Sequence, residues 1–191
     1  MNDYTQLDEI ITGCLNNNRE AQHSLYDMFA SKMFVICLRY AHSNEEAEDI
    51  LIEGFANAFS HLKDFKRNSS FKTWLHHIFV NAAIDSVRSN QRYQLNESFD
   101  DTTLEHPTDQ PAETIFSHLE AKQLVQLIEQ MPDHLRIIFN MRIFDEYSFH
   151  EIAKTLDRNE NTVRKYYQRA RDWLTNALKD DSSLSTNHLS K

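Results

Sequence analysis

The sequence predicts an all-α protein of two small helical domains joined by an acidic linker. Three observations predict it. The 191 residues include only 2 Gly and 3 Pro. Tight turns consume those residues, so their scarcity favours long helices with few connections. Apolar residues recur at spacings of three and four through most of the chain, the period of a helix with one buried stripe. Residues 93–112 break that period. They are acidic, rich in Asn, Asp and Thr, and hold Pro107 and Pro111, a composition suited to a connection between domains. The expected layout is a helical domain at 1–92, a linker at 93–112, a second helical domain at 113–179 and a disordered tail at 180–191.

Leu7, Ile10, Ile11, Cys14 and Leu15 mark a first helix. A second runs from about Arg19 to Tyr40, with Ala21, Leu25, Phe29, Met33, Ile36 and Tyr40 on one side. A third spans about Glu45 to Leu62. Ser43 or Asn44 can cap it, and Glu45, Glu46, Glu48 and Asp49 suit its positive end. Residues 64–70 form a polar loop. A fourth helix runs from about Phe71 to Arg92, with basic residues at its C-terminal end. Beyond the linker, helices are expected at 113–130, from Pro132 in a first-turn position to about Phe144, at 148–156 and at 159–178. No internal repeat is visible.

Hydrophobic residues make up 40% of the chain and aromatic residues 11%, enough for a real core. Cys14 and Cys37 are too few for a disulfide framework or a zinc site. Cys37 lies in the apolar run 33–38 and reads as a buried thiol. The N-terminus lacks a signal-peptide pattern, and no apolar run approaches the roughly 20 residues that cross a bilayer. A cytoplasmic protein without membrane insertion is expected. The net charge of −9 is unevenly spread. Residues 1–60 carry −7, 61–92 carry +4, 93–135 carry −8 and 136–191 carry +2. Two basic patches therefore stand in an acidic background. Local charge decides whether a surface meets phosphate, since screening acts over about 8–10 Å.

Residues 148–174 read SFHEIAKTLDRNENTVRKYYQRARDWL. A short helix turns Ile152, Ala153 and Leu156 inward, and a turn at 157–159 follows. The next helix buries Val163, Tyr167, Ala170 and Leu174, at i, i+4, i+7 and i+11. Arg164, Lys165, Gln168 and Arg171 are left on the exposed side. This is the pattern of a helix-turn-helix whose second helix enters a DNA major groove. The plain alternative is a helical hairpin with a solvated basic face. Asp157 stands where such motifs use glycine, and aspartate tolerates the left-handed backbone. His150-Glu151 begins like the zinc-protease motif H-E-x-x-H, but its fifth position is Lys154, so no metal site follows. No nucleophile–base set or phosphate loop is present. No catalytic residue, metal or cofactor is expected.

Two blocks together resemble the ECF (extracytoplasmic-function) group of the sigma-70 family. The first is AEDILIEGFANAF (47–59) followed by SFKTWLHHIFVNAAIDSVRSNQR (70–92), similar to the family's region 2. The second is MPDHLRIIFNMRIFDEYSFHEIAKTLDRNENTVRKYYQRARDWL (131–174), similar to region 4. The opening, residues 13–41, is similar too. The resemblance runs from about Leu7 to Leu178, and the short linker with no domain inside it is what separates the ECF group from larger sigma factors.

The resemblance implies a subunit that binds core RNA polymerase and directs initiation at specific promoters. The helix at 47–59 would dock on the β′ coiled coil through Asp49, Ile52 and Glu53. The family usually has Gln at the position of Ile52. The loop and following helix would open the −10 element through Lys66, Arg67, Asn68, Ser69, Phe71, Lys72 and Trp74. The residue chemistry agrees, because opened strands are held by basic grooves and by aromatic or polar pockets. Trp74 reads equally well as core, since Leu75, Ile78 and Ala82 continue an apolar stripe. His77, Asn81, Arg88 and Arg92 can share one helical face, with Asn81 at a base edge and the arginines at phosphates. Family members often have arginines near His76 and His77. The second helix of the helix-turn-helix would read the −35 element through Thr162, Arg164, Lys165, Gln168 and Arg171, while its domain packs on the β flap. An anti-sigma factor is a further partner that the resemblance leaves open.

Two rival readings use the same residues. One is a helix-turn-helix regulator that binds duplex DNA without being a polymerase subunit. The basic-aromatic block at 63–92 argues against it, because a duplex reader has no need of one. The other is a sigma mimic that sequesters a partner, which Ile52 and the histidine pair favour and the retained Arg164, Lys165 and Arg171 oppose.

Overall fold

The computed structural model of the protein describes residues 3–94 and 127–186. They form helices and connections, and no strand occurs among them. The chain divides into two compact units, Met1–Leu95 and Asn96–Lys191, as the two-domain expectation requires. The expected linker lies outside the described residues except for Tyr93 and Gln94, which finish a helix. Of the helix expected at 113–130, only residues 127–130 are described, with 127–129 helical.

The first unit holds α1 (Asp3–Leu15), α2 (Arg19–Tyr40), α3 (Asn44–His61), a 3₁₀ turn (Leu62–Asp64) and α4 (Phe71–Gln94). Each boundary has a local cause. α1 stops at Asn17, whose φ of 57° is left-handed. The Asn18 and Asn17 amides then donate to Gly13 and Cys14 carbonyls at 3.0 Å each, the paired bonds of a Schellman end. The Asn18 side chain accepts from the Glu20 and Ala21 amides, at 2.8 and 3.1 Å, and so starts α2. Of the two caps expected for α3, Ser43 serves: its hydroxyl accepts from the Glu46 amide at 3.1 Å. Glu46 in turn accepts from the His42 amide at 2.7 Å. Ser70 caps α4 by accepting from the Thr73 amide at 3.1 Å.

Leu25, Met33, Ile50, Leu75 and Phe79 are fully buried where α2, α3 and α4 meet. Gly54 makes the α3–α4 contact possible. A Cβ at that position would lie within 2.8 Å of three ring carbons of Phe79. Cys14 and Cys37 are both buried thiols, as Cys37 was expected to be. Burial pushes Cys37 up to about 12, so it stays a neutral, unreactive thiol.

The second unit is built on α5 (Asp133–Ile143), α6 (Phe149–Leu156) and α7 (Glu160–Thr186). Pro132 sits at the N-cap of α5, one position before the first turn expected for it. A capping box starts α6: the Ser148 hydroxyl accepts from the Glu151 amide at 3.2 Å, and the Glu151 carboxylate accepts from the Ser148 amide at 2.8 Å. Asp157, at φ 52° and ψ 53°, ends α6 in the left-handed conformation expected of it. Asn159 opens α7 by accepting from the Asn161 amide at 2.8 Å. Ile128, Met131, Leu135, Phe139, Ala170 and Leu174 form the core, and Tyr167, Trp173 and Leu178 pack against it. Arg136 lies within this unit at 2% exposure, with its guanidinium 2.9 Å from Asp133.

The expectation of a disordered tail from residue 180 is corrected in part. α7 continues to Thr186. Neither Gly nor Pro stands between Leu178 and Thr186, so nothing interrupts the backbone ladder there. Residues 187–191 lie outside the described part.

Candidate nucleic-acid and polymerase surfaces

In the first unit, α3 turns Ala47, Ile50, Leu51, Gly54 and Phe55 inward. Its opposite side presents Asp49, Ile52 and Glu53 to solvent. Ile52 is 67% exposed, an isolated apolar side chain among carboxylates. The three residues expected to contact a partner therefore share an accessible face.

The loop before α4 is organised by aromatic packing. Phe65, Phe71 and Trp74 form a triangle with ring centroids 5.3–5.4 Å apart. Phe71 also meets Phe29 of α2 at 5.5 Å and is only 4% exposed. The DNA contact expected of Phe71 is thus corrected: it is a core residue, buried because the loop folds back over α2. Trp74 is half-buried, with faces against Phe65 and Phe71, so the packing alternative accounts for much of its surface. Lys66, Asn68, Ser69 and Lys72 are exposed. Arg67 has a left-handed φ of 59° and donates through Nη1 to Asp8 Oδ2 of α1 at 3.0 Å.

Along α4, His77 and Asn81 are exposed and Arg88 is half-buried. At 100° per residue, His77, Asn81, Arg88 and Arg92 fall within about 60° of one another around the axis. Asp85 joins the same side and pairs with Arg88 at 3.6 Å. The sequence reading missed this carboxylate, although its i,i+3 spacing to Arg88 was visible. His76 is half-buried beside His77, the rings 6.2 Å apart.

In the second unit, α6 and α7 form the helix-turn-helix. Val163, Ala170 and Leu174 have no exposure, and Tyr167 is half-buried. Arg164 and Lys165 are exposed away from the buried stripe, while Thr162 and Gln168 are half-buried. Gln168 Nε2 donates to Asp172 Oδ1 at 3.0 Å. Arg164 is held from two helices. Its Nε and Nη2 donate to Glu160 Oε1 at 3.1 and 2.8 Å, and its guanidinium carbon lies 4.4 Å from the Phe149 ring centroid on α6. Arg142 approaches that ring too, at 5.0 Å.

Arg171 does not belong to this surface. It is 7% exposed, which corrects the expectation that it faces DNA. Eight residues beyond Val163, at 100° per residue, Arg171 lies about 80° round the axis from it, beside the buried stripe; Arg164, at about 100°, is exposed, so position along the helix decides as well as angle. Leu174 and Tyr167 widen the stripe toward it. Arg169 was not chosen for this surface. Its guanidinium lies over the Tyr166 ring at 5.5 Å, on the other flank. Beside it, His134 packs edge-on to Tyr166 at 5.6 Å, and burial holds its imidazole below the usual value.

Among the described residues, no group of three or more His, Cys, Asp or Glu could hold a metal ion. None of the described helices is long and apolar enough to cross a membrane.

Comparison with known proteins agrees with this geometry. The family model for sigma-70 region 2 matches residues 25–93, and that for sigma-70 region 4 matches residues 121–174. Together they span well over half of the chain. The ECF RNA polymerase sigma factor SigW of Bacillus subtilis is 28% identical over 171 residues, covering 85% of this chain and 91% of SigW. The ECF RNA polymerase sigma-E factor of Escherichia coli is 28% identical over 169 residues, covering 84% and 88%. Two solved structures share the fold. The sigma factor RpoE of Bartonella quintana, crystallised with the anti-sigma factor NepR, has a TM-score of 0.54 at 18% identity, covering 82% of this chain and 96% of that one. CnrH, solved with the cytosolic domain of CnrY, has a TM-score of 0.51 at 17% identity, covering 90% and 96%. One basic, partly aromatic surface on a region 2 unit and one helix-turn-helix on a region 4 unit, in that order along the chain, mean that the protein belongs to the sigma-70 family of RNA polymerase sigma factors, in its ECF group.

Proposed function

We propose a division of labour between the two units of this sigma factor. It binds core RNA polymerase and directs initiation at specific promoters. The exposed face of α3, with Asp49, Ile52 and Glu53, docks on the β′ coiled coil, where Ile52 supplies an apolar contact. Lys66, Arg67, Asn68, Ser69, Lys72 and the open part of Trp74 hold the separated −10 strand, a combination of cations, polar groups and an aromatic edge that suits unstacked bases. His77, Asn81, Arg88 and Arg92 follow the strand along α4. The front of α7, with Thr162, Arg164, Lys165 and Gln168, enters the −35 major groove while its unit packs on the β flap.

One observation carries the reading. Each of the two sigma regions lies on its own compact unit, and each unit exposes basic residues on the elements that the family uses for DNA. The protein itself is not an enzyme, since phosphodiester chemistry belongs to the polymerase core, and it works in the cytoplasm. RpoE and CnrH were both solved with a bound protein partner, and an anti-sigma partner for this chain is part of the same proposal.

Reconstituted run-off transcription across genomic fragments tests it. The full chain plus core polymerase should give discrete transcripts that core alone does not. A chain that binds promoter duplex tightly but never associates with core would instead be a stand-alone regulator.

A further inference from the structure

Glu160 is not the cap of α7. Asn159 already caps the helix, and Glu160 is partly exposed, with 38% of its side-chain surface open. Yet its carboxylate is the busiest group on the front of the helix-turn-helix. Oε1 accepts both Nε and Nη2 of Arg164, and Oε2 faces His150 Nδ1 at 3.7 Å. Phe149 underlies the same guanidinium at 4.4 Å. The carboxylate engages the Nε–Nη2 edge and the ring fixes the plane.

A guanidinium carries five N–H donors in a rigid fork. With the Nε–Nη2 edge occupied, the Nη1–Nη2 edge remains for a second bidentate contact. In a major groove the matching acceptor pair is O6 and N7 of guanine. An unclamped arginine can swing to any nearby phosphate, with either edge. A carboxylate at the DNA surface also repels phosphate. Both effects disfavour contacts that carry no sequence information and leave the one that does.

We propose that Glu160, with Phe149, is a specificity-determining clamp that restricts Arg164 to reading a single guanine in the upstream promoter element. Glu160 is a positioning residue: it acts through Arg164. The proposal rests on the reading of α7 as the −35 helix and adds the class of base pair it selects.

The test uses holoenzyme formed by the full chain and core polymerase, with a promoter-length duplex pool randomised across the upstream element. Bound duplexes are sequenced. Wild type should enrich one guanine, and Arg164→Ala should weaken that preference by about 5- to 150-fold. Glu160→Gln should weaken the same preference, and no other, by at least about 5-fold, while binding to unselected duplex rises because a like charge has left the phosphate surface. Phe149→Leu should relax the same position. If Glu160→Gln keeps the full guanine preference, or lowers every duplex equally, the clamp is wrong. If Arg164→Ala selects the same pool as wild type, Arg164 is no base reader, and the assignment of α7's front fails together with the clamp.

Discussion

Gly54 is the position where a single added carbon should be felt most. It lies inside α3, and Phe79 of α4 packs directly over it. Two effects oppose each other in Gly54→Ala. Alanine favours a helix interior over glycine by about 1 kcal/mol. Against this, the new methyl would meet three ring carbons of Phe79 at 2.8 Å or less. Phe79 has no exposure and stands edge-on to Phe55 at 5.1 Å, so the ring has nowhere to retreat. Overpacking of this kind costs about 1–3 kcal/mol, and three simultaneous clashes with a confined ring place it at the upper end. The net loss is about 1–2 kcal/mol, or roughly 5–15 °C of Tm for a unit of this size. Thermal unfolding followed by circular dichroism measures it. Phe79→Leu, which trims the obstructing ring, should cost stability alone but recover part of the loss in the double variant. A Tm that stays the same or rises in Gly54→Ala refutes the argument that Gly54 sets the α3–α4 distance.

Three other outcomes follow from the geometry. Ile52→Gln should bind core polymerase about as well as wild type, whereas Ile52→Asp should weaken it by about 5- to 30-fold; neither should shift Tm appreciably, because the side chain is 67% exposed, and equilibrium binding to labelled core separates the two. Glu146, exposed and at φ 61°, occupies a backbone region that suits glycine, so Glu146→Gly should raise the stability of the second unit by about 0.5–1 kcal/mol despite the looser unfolded chain, as read by urea denaturation. Burial, opposed by Asp133 and reinforced by Arg169, holds His134 below its ordinary value of 6.5. The unfolded chain then binds more protons near pH 6, so His134's contribution is present above that value and is lost as pH falls through its folded value; His134→Gln should flatten the fall in Tm measured from pH 7 to pH 5.

Helices were legible because their signals are local. Ser43 and Asp157 each act within five residues of themselves, and composition and spacing reveal them; the caps at Asn18 and Ser148 are equally local but went unread. The buried stripe of α7 was equally plain in the spacing of Val163, Ala170 and Leu174. What was not legible is the width of each stripe. Arg171 and Phe71 were assigned to DNA, but both are buried, Phe71 against Phe29 of α2. Nothing in a single sequence states how far a packed neighbour extends. The pairings of Arg67 with Asp8 and of Arg164 with Phe149 are tertiary, and sequence distance hides them. Glu160–Arg164 and Asp85–Arg88 are different. Their spacings of four and three were visible; the carboxylates were counted toward net charge but not paired with the arginines.

Those carboxylates change what the basic surfaces mean. Three arginines assigned to DNA contact acidic partners: Arg67 with Asp8, Arg88 with Asp85 and Arg164 with Glu160. All six side chains are 38–67% exposed. Ion pairs that open to solvent are worth about 0–1 kcal/mol each, too little to keep a well-placed phosphate or guanine away. They are enough to matter for a random duplex, where each contact is weak, the Arg67–Asp8 and Arg88–Asp85 pairs must open, and Arg164 stays held by Glu160. In a chain of net charge −9, such pairs suppress indiscriminate attraction while leaving the arginines available wherever another surface has already positioned the promoter. That surface is the polymerase, which the proposed reading places on a different face of the first unit. The acidic balance of the chain is therefore compatible with DNA recognition by a subunit that acts only as part of a larger complex.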